Sequence, residues 1–166
     1  MIMKVTVIVI FCLLYWVSCY AGTGTDQKNM KGLRSYPVQV QELVRKNEEL
    51  SKLAPKKVSI PLTMISNIVM FVVIFGIIGV ILKFTVGFRN FTEILIYFLI
   101  FGEALNLFDL IVIDLLWWRN TKRIRFSFIP EKQFYQNLKQ HVDSFLRGIL
   151  VFAIVAVIVA ILLFII

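Results

Sequence analysis

Residues 94–118 read ILIYFLIFGEALNLFDLIVIDLLWW, an apolar block long enough to cross a lipid bilayer as one helix. The two tryptophans that end the block are typical of the aromatic belt at a membrane surface. Four polar side chains interrupt the block: Glu103, Asn106, Asp109 and Asp114. We therefore predict a membrane-spanning helix that turns a polar face toward protein rather than lipid.

The polar residues of this block fall on one side of an ideal α-helix. At about 100° per residue, Glu103 and Asp114 lie within about 20° of each other. Asn106 lies about 60° to one side, and Asp109 about 60° further. An ionised carboxylate at mid-bilayer costs roughly 2.5–3.5 kcal/mol, so three cost on the order of 8–10 kcal/mol. These side chains must face the interior of a helix bundle, be paired, or be protonated.

Three further apolar blocks flank this one, and together they predict an all-α integral membrane protein. The chain is 59% hydrophobic, whereas a soluble domain is nearer half. No polar stretch is by itself long enough to bury an independent core, so we predict a single transmembrane domain over residues 1–166. The alternative for the first block is a cleaved signal peptide. The predicted spans are residues 4–21, 60–83, 94–118 and 147–166.

Two polar loops, residues 23–57 and 119–145, connect these spans, and both contain apolar residues at helical spacing. This pattern predicts a short amphipathic helix in each loop, lying at the membrane interface or against a partner. The residues concerned are Val40, Leu43, Val44, Leu50 and Leu53 in loop one, and Phe134, Leu138, Val142, Phe145 and Leu146 in loop three.

The basic residues are distributed unevenly, which predicts the orientation. Of the 18 Lys and Arg, loop one has eight, residues 119–147 have seven, and the opposite side has three. Because basic loops stay cytoplasmic, we expect a multi-pass protein of the cell inner membrane with both termini outside. A cleaved first block would place loop one across the membrane, which favours the uncleaved helix. The net charge of +8 then indicates contact with anionic lipid headgroups rather than nucleic acid.

The intramembrane acids have three alternative interpretations: a structural network, a proton or cation site, and an active site in which carboxylates hold a divalent ion. In the structural one, Asp114 pairs with Arg147, with Asn67 nearby, and the network orients three helices. In the functional one, Glu103 and Asp109, which have no basic residue at their depth, form a proton or cation site. A separate group beside the tryptophans could grip a lipid phosphate, or could be ordinary positive-inside flanking: Arg119, Lys122, Arg123 and Arg125.

Signatures of enzymes and of metal sites are missing from the sequence. There is no H-E-x-x-H, G-x-S-x-G or P-loop motif. Cys12 and Cys19 are one heptad apart, roughly 10 Å along a helix, which is too far for a disulfide. Asp109 and Asp114 are five residues apart, about 140° around an α-helix, which makes a poor metal pair. We predict no catalytic residues, metal or cofactor.

Parts of the chain resemble a family of small four-helix membrane proteins of Firmicutes. The resemblance extends from Tyr36 onward and implies architecture and a bacterial source, but no activity, because the family is uncharacterised. The polar positions that it marks are Asn106, Asp109 and Asp114; Glu103 is not part of the pattern. The residues that carry it are Tyr36-Pro37, Val40-Gln41-Glu42, Asn106-Leu107-Phe108-Asp109, Ile113-Asp114, Trp117, Thr121-Lys122 and Ile129-Pro130.

Three function hypotheses follow. The first is a non-enzymatic accessory protein or subunit, whose polar face on the third span binds a partner, a lipid headgroup or a cation. The second is a proton- or cation-coupled transporter or channel protomer, which would need to form a homo-oligomer because four helices leave little room for an aqueous path. The third is a membrane-embedded enzyme that acts on lipid.

Overall fold

The computed structural model describes residues 2–56 and 58–166, and at Glu49 the backbone alone. Lys57, one of the eight basic residues counted in loop one, lies outside the described residues. Every regular element in the described part of the chain is helical. The α-helices are α1 (Ile2–Ala21), α2 (Asp26–Lys31), α3 (Val38–Lys46), α4 (Glu48–Ser51), α5 (Ile60–Thr85), α6 (Phe91–Phe108) and α7 (Lys139–Ile165). Short 3₁₀ turns occupy Leu33–Ser35 and Lys132–Tyr135.

Within residues 2–56 and 58–166, four helical segments are long and apolar enough to cross a membrane, as the sequence predicted. They contain α1, α5, α6 with its continuation to Trp118, and α7. The third begins at Phe91, slightly before the predicted start. The fourth differs more, because α7 begins at Lys139 rather than near residue 147. Insertion into a membrane stays a prediction.

The third apolar segment changes its helix type half-way. It is α-helical to Phe108 and then continues as a π-helix over Asp109–Trp118, ten residues long. In a π-helix each N–H bonds the carbonyl five residues back. The Arg119 N–H, for example, donates to the Asp114 carbonyl at 3.3 Å. Residues five apart are thus close to one turn apart, and the 140° separation that we calculated for Asp109 and Asp114 is wrong.

Local sequence signals set the ends of α5 and α6. Gly87 follows α5 with φ +78°, a left-handed conformation that glycine adopts without strain, and its N–H donates to the Leu82 carbonyl at 3.0 Å. The Asn90 side chain accepts a hydrogen bond from the Glu93 N–H at 2.9 Å, which caps the start of α6. These signals fix a short connection between the second and third apolar segments.

The chain divides into two compact units, and several helices contribute to both. Unit 1 contains residues 1–12, 58–108 and 145–166. Its core is aromatic: Phe75 is fully buried and stacks on Phe101, with ring centroids 4.4 Å apart. Gly102 allows Phe152 to approach, since a Cβ there would lie only 2.7 Å from the Phe152 Cβ. Unit 1 is therefore a closely packed helix assembly.

Unit 2 contains residues 13–57 and 109–144, and its core is formed by loops one and three together. Tyr36 is fully buried, and its hydroxyl donates to the Ile124 carbonyl at 2.7 Å. Neither loop is long enough to bury a core alone. The sequence did not reveal that the two loops pack together into one core. The buried members are Met30, Leu33, Tyr36, Val40, Val44, Trp118, Ile124, Phe126, Ile129 and Tyr135.

The predicted interfacial helices differ from what the structure contains. In loop one, α3 ends at Lys46, and its apolar residues Val40 and Val44 are fully buried in the core of unit 2 rather than on a membrane surface. In loop three, the predicted helix does not form separately. A 3₁₀ turn covers Lys132–Tyr135, and the later apolar residues of the stripe belong to α7.

Candidate functional site

A close carboxylate–imidazole contact lies at the centre of the polar residues of unit 2. His141, near the start of α7, places its Nδ1 atom 2.9 Å from the Asp114 Oδ2 atom on the π-helix. The two side chains are 5% and 15% exposed, respectively. His141 is the single histidine of the chain. A buried carboxylate–imidazole pair of this kind orients the imidazole and fixes which nitrogen holds the proton.

Asp109 joins this pair because the π-helix brings it within one turn of Asp114. Its carboxyl group interacts electrostatically with both Asp114 and His141. The Tyr15 side chain on α1 is within hydrogen-bonding reach of Asp109. The Cys19 thiol, one helical turn further along α1, is within reach of Tyr15. Four titratable residue types from three helical segments thus meet in unit 2.

Two buried nitrogen atoms beside this carboxylate–imidazole contact have no hydrogen-bond partner among the described residues. They are His141 Nε2 and Trp118 Nε1. The two rings contact edge to face, with centroids 6.3 Å apart. We assign the imidazole proton to Nδ1, since that atom faces the carboxylate, which leaves Nε2 of neutral His141 as a free acceptor. A free acceptor on an imidazole held by a carboxylate is suited to taking up a proton.

The arrangement places several proton-binding atoms close together. Two carboxylates close together disfavour double ionisation, and a neighbouring imidazole and phenol offer further proton-binding atoms. Within residues 2–56 and 58–166, no three His, Cys, Asp or Glu side chains are arranged to hold a metal ion. Both cysteines, Cys12 and Cys19, have free thiols.

Glu103 and Asn106 belong to unit 1, where they contact each other and the start of the fourth apolar segment. The Asn106 Nδ2 atom donates to Glu103 Oε2 at 3.3 Å and to the Phe145 carbonyl at 3.2 Å. Gly148 on α7 leaves the space that the Asn106 amide occupies, because a Cβ there would clash with it. This part of the predicted polar face therefore ties α6 to α7. The Glu103 Oε1 atom is buried and has no partner among the described residues.

The predicted network of Asp114, Arg147 and Asn67 has a different composition in the structure. The partner of Asp114 is His141, and the ion pairs of the described residues do not include Arg147. Asn67 is exposed on α5, and its side chain makes no hydrogen bond to another described residue. Arg147 was predicted as the partner because it lies at the same end of the fourth apolar block as Asp114 does of the third. The actual partner, His141, lies six residues before the predicted span.

Two of the predicted lipid-headgroup residues make contacts within unit 2. Arg119 donates to the Gln136 side chain at 3.2 Å. The Arg123 guanidinium lies 3.9 Å from the centre of the Tyr20 ring, and its Nε donates to the Tyr20 carbonyl at 3.1 Å. Both therefore help to hold loop three in place. The remaining two, Lys122 and Arg125, line a pocket.

Sequence reasoning missed Tyr15, Cys19, Trp118 and His141 as members of the site. No local motif marks them, since they come from three separate segments that only the fold brings together. A signal was present in His141, because a lone histidine close to an apolar block is unusual. Comparison with family models, with curated proteins and with solved structures found no match for this chain.

Proposed function

We propose that this chain is a multi-pass protein of a bacterial cell membrane that reversibly binds protons through Asp109, Asp114 and His141. In this proposal it is an accessory subunit of a membrane complex, it is not an enzyme, and both its termini lie outside. The excess of basic residues in loops one and three supports the orientation. The packing of these two loops in one unit agrees with their lying on the same side of a bilayer.

The observation that carries the proposal is the 2.9 Å contact between His141 and Asp114, with Asp109 one π-helical turn away. Ionisable residues inside membrane segments are costly and are characteristic of proton pathways. A π-helical stretch is also frequent at functional sites. Here it serves to bring the two carboxylates onto the same side of the segment, next to the imidazole.

The experiment uses the single histidine as its probe. The full-length protein in detergent, with ¹⁵N-labelled histidine, would be titrated by NMR between about pH 5 and 8, the range in which imidazoles change charge. We expect the chemical shifts of the His141 ring to change over this range. Asp109→Asn should change the pH dependence of these signals, because it removes an ionisable group beside the imidazole. The matched control is Glu131→Gln, an exposed acid of loop three, which should leave the titration unchanged.

Two outcomes would contradict the proposal: His141 signals that stay in one form over the whole range, or equal effects of Asp109→Asn and Glu131→Gln. The transporter hypothesis is separated by a second measurement. The protein would be placed in liposomes with an imposed pH gradient. If the chain is an accessory subunit, the gradient should decay no faster than in empty liposomes. A flux that Asp109→Asn abolishes would instead favour the transporter.

A further inference from the structure

A second feature of unit 2 is an open pocket in loop three, separate from the residues assigned to proton binding. Its volume is about 370 Å³, and it is lined by Lys122, Arg125, Phe126, Ser127 and Pro130. This volume lies within the range of small-ligand sites in proteins. Two of the lining residues are permanently cationic at neutral pH, which is the first indication of the ligand.

In the described part of the chain, no acidic side chain forms an ion pair with either cation of the pocket, Lys122 or Arg125. One Nη atom of Arg125 donates to the Pro130 carbonyl at 3.2 Å, which positions the guanidinium and leaves its other N–H groups available. Two like charges at one pocket repel each other, and an anion bound between them would remove that repulsion.

One carboxylate lies next to the pocket, and each of its oxygens accepts a hydrogen bond from Ser127. Asp26 accepts hydrogen bonds from the Ser127 N–H at 3.0 Å and from the Ser127 hydroxyl. These bonds tie α2 to loop three and fix the shape of the pocket wall. The remaining charge of the pocket is positive, since Lys122 and Arg125 outnumber this single acid.

The residues that precede the pocket are typical of a membrane surface. Tyr20 is the next-to-last residue of α1, and Trp117 is the next-to-last residue of the π-helix. The centroids of their rings lie 6.3 Å apart. Arg123 covers the Tyr20 ring. Tyrosine, tryptophan and arginine gather at the depth of the lipid headgroups, where phosphate groups are concentrated. Lys122 and Arg125 follow Trp117 by only five and eight residues.

We propose that the Lys122–Arg125 pocket binds a phosphate group. The guanidinium of Arg125 would hold two phosphate oxygens, since its planar fork matches them, and the ammonium of Lys122 would neutralise the remaining charge. An anionic phospholipid headgroup and free phosphate are two sources of this group. The proposal goes beyond proton binding and does not depend on it.

The experiment measures binding to the delipidated full-length protein in a non-ionic detergent. Calorimetric titrations would use short-chain phosphatidylglycerol, short-chain phosphatidylcholine and inorganic phosphate. We expect the double variant Lys122→Gln/Arg125→Gln to weaken the Kd roughly tenfold, which corresponds to about 1.4 kcal/mol. The matched control, Lys46→Gln/Lys52→Gln, removes two exposed charges from loop one and should change the Kd less than about twofold.

The three probes distinguish the two possible sources of the phosphate group. Binding of inorganic phosphate that competes with the lipid indicates free phosphate, and binding of phosphatidylglycerol alone indicates a lipid headgroup; both support the pocket. If the double variant fails to fold, the single variant Lys122→Gln replaces it, because this side chain is exposed. We expect its Kd to be about threefold weaker than that of the wild type. The proposal is overturned if the wild type binds none of the probes, or if pocket and control variants lose affinity equally.

Discussion

Unit 1 and unit 2 differ in how many buried side-chain polar atoms lack a hydrogen-bond partner among the described residues. Unit 1 has one buried side-chain oxygen without a hydrogen-bond partner among the described residues, Glu103 Oε1. Unit 2 has five such atoms, on Arg45, Trp118, Arg119, Gln140 and His141. Since a buried polar atom without a partner costs free energy, a unit that keeps several of them is one where ligands, water or protons are expected.

The difference has a physical origin in the side chains that each unit contains. Unit 1 is stabilised by stacked aromatic rings and by close approach at glycines, and its polar groups mostly bond to backbone carbonyls. Unit 2 contains the π-helix and the folded loops, which bring charged and aromatic residues together. We infer that unit 1 is held together by close packing, whereas unit 2 contains the candidate site. Three mutational tests follow from that contrast.

The largest effect is expected in the aromatic core of unit 1. Phe75→Ala should lower the free energy of unfolding by about 3 kcal/mol, because it leaves a void beside Phe101. In lipid the loss is one of packing contacts rather than of burial from water. The control Phe84→Ala removes a ring that is 75% exposed, and it should cost less than about 0.5 kcal/mol. Unfolding in detergent, followed by far-ultraviolet circular dichroism, measures both.

Native tryptophan emission sharpens this first test. The three tryptophans, Trp16, Trp117 and Trp118, all belong to unit 2. If the void stays local to unit 1, folded Phe75→Ala should keep the emission of the wild type. Equal stability losses for the Phe75 and Phe84 variants would contradict the assignment of unit 1 to packing.

A smaller effect is expected where α6 approaches Phe152. Gly102→Ala should cost about 1–3 kcal/mol, because the added Cβ would lie 2.7 Å from the Phe152 Cβ and the backbones must separate. Gly76 is the matched control in α5, since nothing lies within 4 Å of a Cβ there. Gly76→Ala should be neutral or stabilising by up to about 1 kcal/mol, owing to the higher helix propensity of alanine. The same unfolding experiment would contradict the close approach if the two variants behaved alike.

The sequence predicted the four long helices because bilayer-length apolar blocks are a strong and local signal. It could not predict the core of unit 2, since Tyr36 and Ile124 are 88 residues apart and neither loop is apolar enough alone. The start of α7 was also missed. Lys139 and the residues after it are polar, and we placed the helix boundary where the polarity ends rather than where the helix begins.

The candidate site was half predicted. Asp109 and Asp114 were named from their cost inside a membrane segment, which depends on composition alone. Their mutual arrangement was calculated for an α-helix, and no residue in the sequence announces the change to a π-helix at Asp109. The partner His141 lies 27 residues beyond Asp114, so only the tertiary structure reveals the pair.

The smallest effect is expected at Tyr36, and it tests whether the loops of unit 2 form a true core. Tyr36→Phe removes the hydroxyl that donates to the Ile124 carbonyl, and should lower the free energy of unfolding by about 1 kcal/mol near pH 8. Burial also raises the pKa of Tyr36 above its ordinary value of about 10. The matched control is Tyr20→Phe, because Tyr20 is exposed. This substitution should leave the free energy of unfolding unchanged.

The pH dependence of the Tyr36 difference follows from the sign of that shift. The folded state keeps Tyr36 neutral, whereas the unfolded chain ionises it above about pH 10, so the stabilisation is complete below pH 10 and is lost as the pH rises further. One pH unit above 10 removes about 1.4 kcal/mol from the wild type and nothing from this source in Tyr36→Phe. The wild type should therefore be no more stable than Tyr36→Phe near pH 11. Tryptophan fluorescence during unfolding measures both free energies. Parallel stability curves between pH 8 and 11 would mean that water reaches Tyr36, and that unit 2 lacks the dry core on which its contrast with unit 1 depends.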